Sequence, residues 1–168
     1  MPDGLMALSI FLKRGHNQVW PYRAKQWIAS QDSRFFHVLL QYARLLTLAH
    51  RQHPAALQFW RLCNYLVVHP VCATAALRAL HSDQQTEARP ATALLAEMMA
   101  SESVPDNIQG LMYQFVALIE EQSEDEDRCG IDKRKVIAHL VPMHGGYTIL
   151  YGRAKPMVRE HIAISKNR

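Results

Sequence analysis

Arginine and histidine are the side chains whose spacing in this sequence could support chemistry at a phosphate. Arg44 and His50 are separated by five residues in the stretch RLLTLAH. In such a pair the arginine would stabilise charge that develops on the phosphate, and the histidine would transfer a proton. His50 and His53 lie three residues apart, a spacing that could suit two metal ligands. Pro54 follows directly, however, and no acidic residue separates the histidines, so a zinc-protease motif is absent.

The Arg44 and His50 pair resembles the R-x5-H spacing of HEPN domains, a class of small helical ribonucleases. That resemblance implies a helical fold and RNA cleavage, with Arg44 at the phosphate and His50 handling the proton. It covers two residues, and Leu45 stands where those motifs commonly carry a polar residue. An arginine on a solvent-facing helix surface and a histidine near a helix end would explain the same positions. A HEPN-like ribonuclease is therefore the third interpretation, after two that involve no catalysis.

No other catalytic or metal-binding motif is present in the sequence. It lacks the phosphate-binding loop, the dinucleotide-binding glycine motif and the serine hydrolase elbow. Its three cysteines, Cys63, Cys72 and Cys129, cannot all pair within one chain and form no C-x-x-C arrangement. We expect Cys63 and Cys72 to be buried reduced thiols, which favours a cytoplasmic location. We predict no catalytic residue, no metal site and no cofactor.

Charge is distributed unevenly along the chain, although the net charge is only +4. Residues 1–61 hold eight basic and two acidic residues, and residues 128–168 hold nine basic and two acidic residues. Residues 62–127 hold two basic and eleven acidic residues. The densest acidic run, residues 120–127, fits either a solvated linker or an internal counter-ion for a basic segment. Clustered like charge indicates an anionic partner or an internal counter-surface.

The two basic segments carry the candidate nucleic-acid-binding residues. The first interleaves lysines and arginines with tryptophans, a mixture that suits phosphate contact and base stacking. The second surrounds a tyrosine that follows a Gly-Gly turn. The predicted binding residues are Lys13, Arg14, Trp20, Arg23, Lys25, Lys133, Arg134, Lys135, Tyr147, Arg153 and Lys155. Alternatively, Trp20 and Trp27 anchor an N-terminal arm to the rest of the protein and leave the nearby basic residues solvated.

Two functions without catalysis follow from this charge pattern. The first is an accessory or regulatory protein that binds nucleic acid through its basic ends. The second is a helical adaptor, or a subunit of a larger assembly, that binds a protein with an acidic surface. Self-association into a homo-oligomer is compatible with either, because the acidic middle could meet the basic ends of a neighbour. We expect no membrane span, since the apolar run at residues 5–12 is far shorter than the roughly 20 residues required.

Helical spacing dominates the apolar segments, which predicts a mostly all-α fold of about six or seven helices. We expect a single domain over residues 1–168. A short β-hairpin or wing is predicted near residues 140–152, where Gly145 and Gly146 permit a tight turn before strand-prone residues. The predicted organisation is a basic arm or first helix at 1–33, a helical core at 34–122, an acidic linker at 123–131 and a basic helix–wing–helix at 132–168.

Individual residues within these helices carry more specific predictions. The segment AALQFWRLCNYLVV is apolar on nearly every face, so we expect Trp60, Leu62 and Leu66 to lie in the core. Gly110 interrupts another helix and predicts a close crossing of two helices. Asp132 is placed to cap the helix that begins with the lysines and arginine that follow it.

Overall fold

The computed structural model describes residues 34–49, 53–81 and 90–140. These ranges contain no strand and form seven α-helices, which confirms the prediction of a mostly helical fold. The helices are α1 (Arg34–Thr47), α2 (Ala56–Val67), α3 (Pro70–His81), α4 (Ala91–Ala100), α5 (Asp106–Gln122), α6 (Glu126–Cys129) and α7 (Lys133–Leu140). The predicted N-terminal arm and the last helix of the predicted helix–wing–helix lie outside the described residues. The wing predicted near residues 140–152 also lies outside them, apart from Leu140 at the end of α7.

Prolines mark the beginnings of three helices. Pro70 is the first residue of α3, while Pro90 and Pro105 directly precede α4 and α5. A proline fits these positions because the first N–H groups of a helix have no partner within the helix. Of these three starts, the sequence predicts the one at Pro90, since proline suits the first turn of a helix.

The end of α1 differs from the prediction. The residue before a proline avoids the helical conformation, so the sequence predicts that the helix stops near His53 and Pro54. The helix instead ends at Thr47. The Thr47 hydroxyl is buried and accepts a hydrogen bond of 2.9 Å from the indole Nε1 of Trp60. This end of α1 is therefore held against α2 by a tertiary contact.

The core is centred on α2, α3 and α5. Trp60, Leu62 and Leu66 of α2 are completely buried, as predicted. The Trp60 ring meets Phe115 of α5 edge to face, with ring centroids 5.7 Å apart. The first helix, α1, packs mainly on α4, and α7 packs on α3, α4 and α5. This arrangement gives α2 apolar neighbours on most sides, which matches its nearly uniform apolar sequence.

The cysteines are reduced in this structure. Cys63 and Cys72 are buried, as expected, and Cys129 is half-buried. Burial raises the pKa of the Cys63 thiol, so this sulfur stays protonated and unreactive at neutral pH. The Cys129 Sγ lies 3.5 Å from the carbonyl oxygen of Glu124.

The prediction of a close helix crossing at Gly110 is wrong. Gly110 lies on the exposed side of α5, and a Cβ atom placed there would meet no atom of the described residues within 4 Å. Because the glycine fills no packing role, its substitution should reveal the intrinsic helix propensity of the position. Spacing along one helix could not show this, since the approach of a neighbour depends on tertiary packing.

Gly110→Ala should raise the free energy of unfolding by about 1 kcal/mol, since alanine restricts the unfolded chain and favours the helix. Chemical denaturation followed by circular dichroism would measure the change. Gly130→Ala is the matched control: its Cβ would also meet open space, but Gly130 has a φ of 71°. Alanine is strained in that left-handed conformation, so the control should lose stability. A loss of stability in Gly110→Ala would contradict our placement of α5.

Candidate functional site

Three of the predicted nucleic-acid-binding residues lie within the described ranges. Lys133, Arg134 and Lys135 form the first turn of α7. The other eight lie outside the described residues: Lys13, Arg14, Trp20, Arg23, Lys25, Tyr147, Arg153 and Lys155. A common surface formed by both basic segments stays a prediction.

The start of α7 is held by Asp132, as predicted. The Arg134 backbone N–H donates a hydrogen bond of 3.0 Å to Asp132 Oδ1, which satisfies one of the free donors of the first turn. Val136, Ile137 and Leu140 are buried in the core. Because successive helical residues differ by about 100° in direction, the three basic residues cannot all face the same surroundings.

Lys133 points inward, toward the end of α5. Its side chain is only 18% exposed, and its Nζ donates hydrogen bonds to the carbonyl oxygens of Ser123, at 2.6 Å, and Glu120, at 3.3 Å. These carbonyls belong to the C-terminal end of α5, where the helix dipole favours a positive charge. The fold therefore uses the Lys133 ammonium group internally. Arg134 and Lys135 are exposed.

The acidic segment between α5 and α7 is anchored to the helical core. Ser123 is buried at its start and Ile131 at its end. The Glu124 backbone N–H donates a 2.9 Å hydrogen bond to Thr74 Oγ1 of α3. The segment folds into the short helix α6, which ends at Gly130 in a left-handed conformation. We call residues 123–131 the acidic loop.

The acidic side chains of this loop face solvent. Residues 124–127 are all acidic and all exposed. Asp125 Oδ1 lies 3.9 Å from Lys133 Nζ, at the outer limit of an ion pair. Because the Asp125 side chain is 90% exposed, this contact is weak. The acidic loop thus has solvated carboxylates, as one interpretation predicted, and gives Lys133 a distant counter-ion, as the other did.

Arg44 takes part in a contact between two helices. Its Nε donates to Glu97 Oε2 at 2.9 Å and its second terminal nitrogen donates to Glu97 Oε1 at 3.0 Å. This two-point pair joins α1 to α4, with about a third of each side chain exposed. The hydrogen bond to Glu97 raises the pKa of the Arg44 guanidinium. His50 lies outside the described residues, so its position relative to Arg44 stays a prediction.

His53 does not lie at the end of α1. It precedes α2, and its Nδ1 accepts a hydrogen bond of 3.1 Å from the Ala55 backbone N–H. The negative end of a helix dipole would favour a protonated pair of His50 and His53 at a helix C-terminus. That interpretation of the two residues is wrong for His53, because α1 has already ended at Thr47. Across residues 34–49, 53–81 and 90–140, no three His, Cys, Asp or Glu side chains are grouped closely enough to hold a metal ion.

An exposed apolar surface on α1 was missed at the level of sequence. Tyr42 is 45% exposed and Leu45 is 64% exposed, although both lie on a helix whose opposite face is buried. The Tyr42 ring lies 5.5 Å from the ring of Phe59 in α2. The available signal was the spacing of Val38, Tyr42 and Leu45, four and three residues apart, which repeats along one helix face. We call these three residues the α1 stripe.

No family model, curated protein or solved structure matches this chain. In the part of the chain that the structure describes, no helix combines the length and apolar character needed to cross a membrane.

Proposed function

We propose that this protein is a non-catalytic accessory or regulatory protein that binds the nucleic-acid backbone through its basic terminal segments. The observation that carries the proposal is the placement of Arg134 and Lys135. Both are exposed in the first turn of α7, and neither forms an ion pair with another residue in the described ranges. They begin the basic segment that continues to the C-terminus.

The presence of Arg134 and Lys135 in the first turn of α7 is not explained by a contribution to the stability of that helix. A positive charge near a helix N-terminus opposes the helix dipole, at a cost of about 0.3–1 kcal/mol. Lys133 offsets that cost through its hydrogen bonds to the end of α5, whereas Arg134 and Lys135 make no such bonds to described residues. Departures from local stability rules tend to occur at functional positions. Exposed arginine and lysine together suit the phosphate backbone.

The acidic loop opposes this binding, because its negative charge lies next to the basic residues of α7. The exposed carboxylates of residues 124–127 directly precede α7 and would repel phosphate. Net attraction therefore depends on the other basic residues of the C-terminal segment, in which Arg153 and Lys155 are the predicted contacts. Binding should weaken steeply as salt rises, because phosphate contacts release counter-ions.

The double variant Arg134→Glu and Lys135→Glu reverses two positive charges. It should bind all nucleic-acid sequences more weakly and to the same extent, since phosphate contacts carry no sequence information. The plot of log affinity against log salt concentration has a negative slope. On duplex DNA the magnitude of that slope should decrease by about two, or about one per lost contact. Fluorescence anisotropy with labelled duplex and single-stranded probes at several salt concentrations would measure both effects.

The matched control combines Arg61→Glu with Arg78→Glu, which changes the net charge equally at two exposed arginines outside the predicted site. This control should retain most of the salt slope. Absence of binding by the unmodified protein in low salt would refute the nucleic-acid proposal. Equal losses of affinity in the two double variants would show that binding depends on the net charge of the protein rather than on a site at α7.

A protein adaptor is the second candidate function; it requires that a partner protein, and not a segment of this chain, covers the exposed α1 stripe. An adaptor that contacts its partner through apolar side chains would tolerate salt better than a phosphate-binding protein. The salt series therefore separates these two functions.

The ribonuclease interpretation receives less support than either of these. Arg44 already directs Nε and a terminal nitrogen to Glu97, in the same two-point geometry that an arginine uses for a phosphate. To bind phosphate in that way, Arg44 would first have to leave Glu97. We propose no catalytic role for it.

A further inference from the structure

Helix α1 is apolar on two faces. Phe36, Leu39 and Leu40 lie on the face that is buried in the core. The α1 stripe lies on another face, where Tyr42 and Leu45 are exposed and Val38 is half-buried. A surface helix of a globular protein normally has a single apolar face and a polar face opposite to it. The α1 stripe is therefore a surface on which another apolar segment could pack.

The α1 stripe borders α2 and has a defined shape. The Tyr42 ring rests against the buried Phe59 ring of α2, with centroids 5.5 Å apart. Leu45 follows Tyr42 by three residues and therefore lies on the same side of the helix. Together they offer an apolar ridge next to the junction of two helices. Apolar side chains could bury surface there without displacing a charged group of the stripe itself.

We propose that the apolar residues 5–12 of this same chain, LMALSIFL, dock on the α1 stripe. The chain before α1 is 33 residues long and joins the helix that carries the stripe. Leu45 lies eleven residues along α1 from Arg34, a distance of about 17 Å at 1.5 Å per residue. The roughly 20 residues between Leu12 and Arg34 can span that distance several times over at about 3.3 Å each.

Attachment to α1 favours this segment over other occupants. A tethered segment meets its site at a high effective concentration, on the order of millimolar for a short linker. The segment after residue 140 instead continues from α7, which packs mainly on α3, α4 and α5. Docking of residues 5–12 would bring Lys13 and Arg14, which follow directly, to the surface of α1. The inference concerns packing alone and does not depend on nucleic-acid binding.

Trypsin cleavage after Lys13 and Arg14 in the full chain tests this docking. Leu45→Asp should increase the initial cleavage rate at these two sites by at least about tenfold, because cleavage follows the population of the undocked state. Leu8→Asp combined with Phe11→Asp should give the same increase from the other side of the contact. Mass spectrometry of the first fragments would identify the cleaved bonds.

Val71→Asp is the matched control, because Val71 is a 56% exposed apolar residue on a different helix. It should leave cleavage after Lys13 and Arg14 unchanged. Circular dichroism would verify that each variant keeps its helices, and the paired change at Leu8 and Phe11 leaves α1 itself unaltered. If neither Leu45→Asp nor the paired variant accelerates cleavage, the proposed docking is wrong.

Sedimentation of the full chain tests the competing occupant, a second copy of the protein. A dimer that Leu45→Asp converts to a monomer, with cleavage after Lys13 and Arg14 unchanged, would overturn the proposal. A monomer in which both sets of variants accelerate cleavage would support it.

Discussion

Replacing Leu66 with alanine should lower the free energy of unfolding by about 2–5 kcal/mol. Leu66 is completely buried in α2, among the helices that form the centre of the core. Alanine would remove buried apolar atoms and leave a cavity that close-packed neighbours fill only in part. Urea denaturation followed by circular dichroism at 222 nm would measure the change on a cooperative transition.

Val71→Ala provides the comparison, because Val71 is apolar but 56% exposed on α3. Its removal should change the free energy of unfolding by less than about 0.5 kcal/mol, as is usual for surface positions. If Leu66→Ala cost as little as Val71→Ala, α2 would not be the central helix.

The position of α2 was predictable because it depends on side-chain type alone. A helix that is apolar on nearly every face has a low free energy only when other elements surround it. Trp60, Leu62 and Leu66 could therefore be assigned to the core before their neighbours were known. Pro90 likewise indicated the start of α4, because the backbone of proline suits the first turn of a helix.

Features that depend on contacts between distant residues were not predictable in this way. The end of α1 involves a hydrogen bond from Trp60 to Thr47. The crossing expected at Gly110 depended on a close neighbour, and none of the described residues provides one. Arg44 was placed on a solvent-facing surface, yet it contacts Glu97, which lies 53 positions further along the chain. Periodicity identifies the faces of a helix but not the partner of each face.

The candidate site shows the same division between local and tertiary information. Lys133, Arg134 and Lys135 form one basic run in the sequence, which predicted a common binding role. Helical rotation separates them, and packing of α7 beside α5 brings Lys133 to the carbonyl oxygens of Glu120 and Ser123. The charge of Lys133 was evident from the sequence, whereas the carbonyl oxygens that it contacts were not.

Lys133→Met should lower the free energy of unfolding by about 1.5–3 kcal/mol, the usual value for hydrogen bonds made by a charged group. Methionine keeps much of the apolar stem but cannot donate to the carbonyl oxygens of Glu120 and Ser123. Those acceptors at the end of α5 would lose a positively charged partner that is only 18% exposed. Chemical denaturation of the full chain would measure the loss.

Lys135→Met is the matched control, since Lys135 is exposed in the same turn of α7. It should change stability by less than about 0.5 kcal/mol, and removal of its charge near a helix N-terminus could even stabilise α7 slightly. Equal effects of the two substitutions on stability would contradict an internal role for Lys133.

The two variants should also differ in nucleic-acid binding. Under conditions where both are folded, Lys133→Met should leave the salt slope unchanged, because its ammonium group faces α5, whereas Lys135→Met should reduce the slope by about one.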